Sequence, residues 1–124
     1  MGVNVEAKIE VEKFDDYAII HLSGSFVSAE RDFTKEIKGV VKELLDDGIR
    51  KILMDFEKVT FYGSDGIGAL TNSHYTATNI GARVVPYALP DHIKSAFHLV
   101  GLDKIFPNFQ TKEDALAYLK KKVN

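Results

Sequence analysis

The sequence predicts an α/β sandwich with a mixed, largely parallel sheet of four to five strands and about four helices. Three observations carry that expectation. Two short segments of roughly alternating apolar and polar residues open the chain on either side of an acidic turn, as in an antiparallel hairpin. From Phe33 onward, runs of helical period alternate with strand-like apolar runs, in the order helix, strand, helix, strand, helix, strand, helix. Glycine or proline punctuates most of the switches between them. A chain of 124 residues suffices for a single domain, 1–124, with a real core.

Each element has its own signal. Val5 to Val11 alternates apolar and charged residues, Phe14-Asp15-Asp16 makes a turn, and Tyr17 to Leu22 forms the second strand, which Gly24 and Ser25 are expected to break. Phe33, Ile37, Val40, Val41, Leu44 and Leu45 recur at helical spacing, and Gly48 stops that helix. Lys51 to Phe56 is the third strand. Ile67, Leu70, His74, Ala77 and Gly81 share one face of the next helix. Ala82 to Val85 is the fourth strand, expected to end at Pro86 because proline donates nothing to a ladder. After Pro90 and Asp91, the residues Ile93, Ala96, Phe97 and Val100 mark a third helix closed by Gly101. Asn108-Phe109 is a candidate short strand. Thr111 is placed to cap the last helix, with Asp114 completing part of a capping box and Ala115, Leu116, Leu119 and Val123 on the apolar face.

Composition narrows the function classes. The hydrophobic share is 45% and the charged share 27%, ordinary values for a soluble globular protein. A net charge of −2 leaves no basic footprint for nucleic acid or anionic lipid. There is no cysteine, so disulfides and thiolate zinc sites are excluded. No apolar run has the length of a membrane span, and the N-terminal residues lack a signal pattern, so the expected compartment is the cytoplasm. The four histidines, His21, His74, His92 and His98, have no helical metal spacing. Gly63-Ser64-Asp65-Gly66 is neither a nucleophile elbow nor a dinucleotide fingerprint, and no phosphate loop occurs. The chain is therefore expected not to be an enzyme and to need no cofactor or metal.

The segment Val59 to Leu70 concentrates the remaining signal. It follows Ile52-Leu53-Met54-Asp55 and leads into a helical pattern, so Gly63 to Gly68 is read as a turn opening a helix. Gly63, Gly66 and Gly68 let backbone approach closely, Ser64 is expected to cap the helix, and Asp65 sets a negative charge at the positive end of its dipole. Such an end suits a phosphoryl group or an acidic side chain. In an open α/β sheet it also lies outside the C-terminal ends of the strands, where ligands and partners meet the fold.

Three segments resemble one family. Ile19-Ile-His-Leu-Ser-Gly24, the stretch from Ile52 to Leu70, and His98 to Leu116 are similar in order and spacing to the STAS domain, the fold of the bacterial anti-sigma factor antagonists. The resemblance implies a protein-interaction domain working by partner switching. It would dock on an anti-sigma factor with serine-kinase activity, release a sigma factor, and so regulate transcription. The contact surface implied is Tyr62, Gly63, Ser64, Asp65, Gly66 and Ile67, with Ser25 and Phe26 in the loop after Gly24. The same resemblance leaves room for a phosphorylation-insensitive scaffold or for a ligand- or lipid-transport accessory domain.

The turn departs from the family's usual pattern. Antagonists commonly read Asp-Ser-Ser-Gly or Asp-Ser-Thr-Gly, with the phosphoacceptor hydroxyl directly before the glycine. Here the acceptor-equivalent position is Asp65, and Gly63 replaces the acid two residues earlier. Asp65 is read either as a fixed imitation of phosphoserine or as a plain complement to the helix dipole; an aspartyl phosphate lacks the cluster of neighbouring acids it needs. Ser64 is an alternative phosphosite or the cap. Asp55 either forms an acidic pocket beside the turn or bonds exposed loop amides.

Overall fold

In the computed structural model, residues 5–27 and 30–123 are described. The elements are β1 (Lys8–Lys13), β2 (Ala18–Phe26), α1 (Phe33–Asp46), β3 (Lys51–Tyr62), α2 (Ser64–Thr78), β4 (Arg83–Tyr87), α3 (Asp91–Leu99), a single 3₁₀ turn at Leu102–Lys104, and α4 (Lys112–Lys122). The sheet has the order β1-β2-β3-β4; the β1–β2 pair is antiparallel, and the other two pairs are parallel. The expected mixed sheet and four helices are thus present.

Strand alternation sorts the core into two layers. Ala18, Ile20 and Leu22 of β2, with Ile52, Met54 and Phe56 of β3, face α1 and α2. Ile19, Leu53, Val85 and Tyr87 point the other way and bury Ala115 and Leu119 of α4. Apolar residues on both sides of the middle strands are what a sheet covered on both faces requires. Thr111 caps α4 as expected, its Oγ accepting from the Asp114 amide at 3.2 Å.

Several boundaries differ from the sequence reading. The first strand occupies Lys8–Lys13, starting three residues and ending two residues later than the alternation of Val5 to Val11 placed it. Gly24 and Ser25 do not break β2. The strand runs on to Phe26 through two register irregularities, with Gly24 at φ +85°. A Cβ on Gly24 would lie 2.4 Å from the Glu6 carbonyl oxygen, so this glycine lets the N-terminal segment cross β2. The Ser25 amide donates to the Val5 carbonyl at 2.9 Å across that contact. The extra length of β2 gives β3 a partner, so β3 continues past Phe56 to Tyr62, pairing Ser25 with Phe61 and Phe26 with Tyr62. Glu57 and Lys58 are exposed residues within a strand, not its end.

β4 likewise continues through Pro86 to Tyr87. It is an edge strand, where a missing amide is tolerated. The expected strand at Asn108–Phe109 is reduced to one bridge from Phe109 to Tyr87, with the Ala88 amide donating to the Phe109 carbonyl at 2.8 Å. On α2 the buried face is Gly66, Ala69, Leu70, Ser73 and Ala77, one residue round from the predicted stripe, so Ile67 and His74 are only half-buried. Val100, predicted to face the core, is 59% exposed because α3 ends at Leu99 and the chain turns away at Gly101, whose φ is +79°.

Candidate functional site at the start of the second helix

The turn between β3 and α2 is shorter than expected. Gly63 alone stands between strand and helix; Gly66 and Gly68 lie inside α2. The helix begins at Ser64, which makes Gly63 the N-cap, and among the described residues no side chain caps it. Ser64 therefore does not fill the capping role predicted for it, because it already has helical backbone. It is exposed, as is Asp65.

Tyr62 holds this end together from beneath. Its ring is 6% exposed, with its centroid 4.8 Å from Phe56, 5.6 Å from Phe26 and 6.4 Å from Phe97. Burial pushes its phenol well above the ordinary value, so it remains a hydroxyl that donates to the Gly66 carbonyl at 2.7 Å. That bond brings the first turn of α2 down onto the ring. A Cβ on Gly66 would lie 2.6 Å from the Tyr62 ring, so only glycine fits there without displacement. Tyr62, Gly66 and Phe26 were expected at the contact surface; all three are buried, and their side-chain positions face the interior. The reason is strand parity. Phe26 and Tyr62 are register partners, and both point to the α1–α2 side.

Gly63, Ser64, Asp65, Ile67 and Ser25 remain wholly or partly accessible. The Asp65 carboxylate makes no hydrogen bond or ion pair among the described residues, while its backbone carbonyl accepts from the Thr34 hydroxyl at 3.0 Å. That contact clamps the start of α1 to the start of α2. Two apolar side chains not singled out by sequence flank Gly63: Phe61, 51% exposed, and Val27, 56% exposed. Both come within about 3.6 Å of the space above the Gly63 Cα. The available signal was the pair Phe61-Tyr62, since neighbouring strand residues point to opposite faces and only one aromatic ring could enter the core. Residues 28 and 29 of the loop after Gly24, and residues 1–4 of the segment read as lacking a signal pattern, lie outside the described residues.

Asp55 does not belong to this site. Because β3 runs on to Tyr62, Asp55 lies on the order of 20 Å back along the strand. Its Oδ1 accepts from the Glu57 amide at 2.9 Å, and its Oδ2 lies 2.8 Å from His21 Nδ1. His21 Nε2 in turn lies 2.9 Å from Glu12. Burial opposes the charge on His21, but hydrogen bonds and attraction from Glu12 and Asp55 outweigh it and raise the pKa above the ordinary value. On the same side of the sheet, burial and then the nearby Asp55 push the Tyr87 phenol upward.

A pH dependence follows. The folded pKa of His21 exceeds the unfolded value near 6.5, so its stabilisation is fully present below that value and is lost as pH rises through the folded pKa. His21→Gln is therefore expected to cost about 0.2–1 kcal/mol near pH 5.5 and less above pH 8, as for a partly exposed ion pair. Urea midpoints of both proteins at the two pH values measure this, and a difference that grows with pH contradicts it. Among the described residues, no group of three acidic or histidine side chains is arranged to hold a metal ion. No helix there is long and apolar enough to cross a membrane.

The fold and this helix start together define a class. Residues 8–115 match the family model of the STAS domain, and the chain belongs to that family. BtrV of Bordetella bronchiseptica, provisionally named an anti-sigma factor antagonist, is 23% identical over 113 residues, covering 91% of this chain and 95% of BtrV. An anti-sigma factor antagonist of known structure from Mycobacterium paratuberculosis shares the fold with a TM-score of 0.78 and 23% identity, covering 93% of this chain and 95% of its own. Unphosphorylated SpoIIAA, also an anti-sigma factor antagonist, does so with a TM-score of 0.76 and 18% identity, covering 94% of this chain and all of its own.

Proposed function

We propose that this chain is a non-enzymatic antagonist module that docks the start of α2 on an anti-sigma factor of the serine-kinase type. The observation that carries the reading is Asp65, an exposed carboxylate without a partner among the described residues, in the first turn of α2 beside the accessible side chains of Phe61 and Val27. Apolar side chains around a single charge form a surface that another protein can desolvate and read. The resemblance assigns the position of Asp65 to a phosphorylatable hydroxyl. In its place stands a permanent charge, smaller than that of phosphoserine but of the same sign. The wild-type module then binds that partner weakly, nearer to the releasing state than to the holding one. Catalysis and nucleotide binding belong to the partner, and the site of action is the cytoplasm.

The test is calorimetric titration of wild type and Asp65→Ser against the partner recovered from the source cell. Removing an unfavourable interfacial charge contributes on the order of 1–3 kcal/mol, so Asp65→Ser is expected to bind about tenfold tighter or more. Equal affinities reject the imitation of phosphoserine and leave Asp65 as a helix-dipole complement. Weaker binding by the variant shows a partner that answers Asp65 with its own cation. Phe61→Ala, at an exposed position, is expected to weaken binding without unfolding the domain; unchanged affinity places the interface elsewhere.

A further inference from the structure

A second feature lies on the solvent side of the α1–α2 layer. Between these helices runs an open groove of about 470 Å³. It extends from Lys38 to Asp46 on α1, about 12 Å of helix, and from Asn72 on α2 to Ile80 just past that helix's end. Val41 and Leu45, themselves buried, line it together with Ile80, a large aliphatic residue left 50% exposed. Gly39 opens the α1 wall, since a Cβ there would meet nothing within 4 Å.

Two polar groups in the groove lack the partners expected of them. Ser73 lines it, is 1% exposed, and its hydroxyl has no hydrogen-bond partner among the described residues. Buried hydroxyls are nearly always satisfied, so an orphan in a groove wall points to a polar atom supplied from outside the chain. Lys38, on the α1 wall, makes no ion pair among the described residues, whereas Lys42 is held by Asp46 at 2.7 Å. Asp46 is thereby neutralised, and the uncompensated charge of the groove is the Lys38 ammonium.

We propose that this groove binds a small amphipathic carboxylate, with its carboxylate between the Lys38 ammonium and the Ser73 hydroxyl and its alkyl chain along Val41, Leu45 and Ile80. Both lone-pair-rich oxygens of the ligand accept hydrogen bonds there. The alkyl chain covers Ile80, half of whose surface the fold leaves wet, and reaches toward the buried Val41 and Leu45. The site is separate from the partner-docking surface and does not depend on that reading.

The experiment is titration of the full chain with octanoate, below its micellar concentration, followed by NMR chemical shifts and calorimetry. Saturable one-to-one binding is expected, with shifts concentrated in residues 38–46 and 72–80. Gly39→Leu fills the groove from a position with free space and better helix propensity, and is expected to fold normally and bind at least tenfold more weakly. Ser73→Ala is expected to lower octanoate affinity severalfold while leaving the thermal midpoint equal or higher. Lys38→Gln is expected to weaken octanoate but not octanol. No saturation at millimolar octanoate, wild-type binding by Gly39→Leu, or octanol bound as tightly as octanoate by the wild type each overturns the proposal.

Discussion

Gly24→Ala is expected to destabilise the domain by about 3 kcal/mol or more, the sum of left-handed backbone strain and a severe overlap. Gly24 sits at φ +85°, where a Cβ is penalised whatever its surroundings. The surroundings add to the penalty, because the Cβ would meet the Glu6 carbonyl oxygen at 2.4 Å and the Val5 carbonyl oxygen at 2.9 Å. Backbone cannot swing aside as a flexible side chain does. Relief requires detaching the segment around Val5 and Glu6, which breaks the bond from the Ser25 amide to the Val5 carbonyl and uncovers Ala7, now 4% exposed. Urea unfolding followed by circular dichroism measures the loss. A midpoint within error of wild type contradicts the crossing geometry.

The second large effect separates two glycines two residues apart in one helix. Gly66→Ala is expected to destabilise by about 1–3 kcal/mol through overpacking, although alanine is the better helix former. Three atoms of the Tyr62 ring lie within 3.0 Å of the new Cβ, and that ring is wedged among Phe26, Phe56 and Phe97. The Tyr62 hydroxyl, bonded to the Gly66 carbonyl, moves with any displacement of the ring. Gly68→Ala meets nothing within 4 Å and is expected to stabilise by up to about 1 kcal/mol. Opposite signs in parallel unfolding curves support the wedge; a stabilised Gly66→Ala refutes it.

The parts of this fold legible in the sequence are those decided locally. The spacing of Ile37, Val41, Leu44 and Leu45 places α1 against the sheet, and Thr111 marks the start of α4. What the sequence hid was decided by pairing. Gly24 reads as a breaker until the neighbouring strand and the crossing N-terminal segment are known. Glu57-Lys58 reads as a strand end until β2 supplies a partner. Pro86 reads as a stop, yet an edge position tolerates it. At the candidate site, the position of Asp65 was readable because a charge in a helix's first turn is a local feature. The burial of Tyr62 was not, since it depends on which face of β3 meets α2. The link from Glu12 through His21 to Asp55 joins three strands, and only their register reveals it.

The two borders of the sheet bear on how this protein meets others. β4 carries Pro86 and is bridged by Phe109, so its outer backbone has little left to offer a visiting strand. β1 presents Lys8, Glu10, Glu12 and Lys13, charges of both signs that would have to match an incoming chain before any ladder could form. Growth of the sheet by strand addition, within a complex or into a fibril, is therefore disfavoured at both borders. The two proposed recognition sites lie instead on side chains, at the start of α2 and between α1 and α2, where a single substitution such as serine to aspartate alters the surface without altering the architecture.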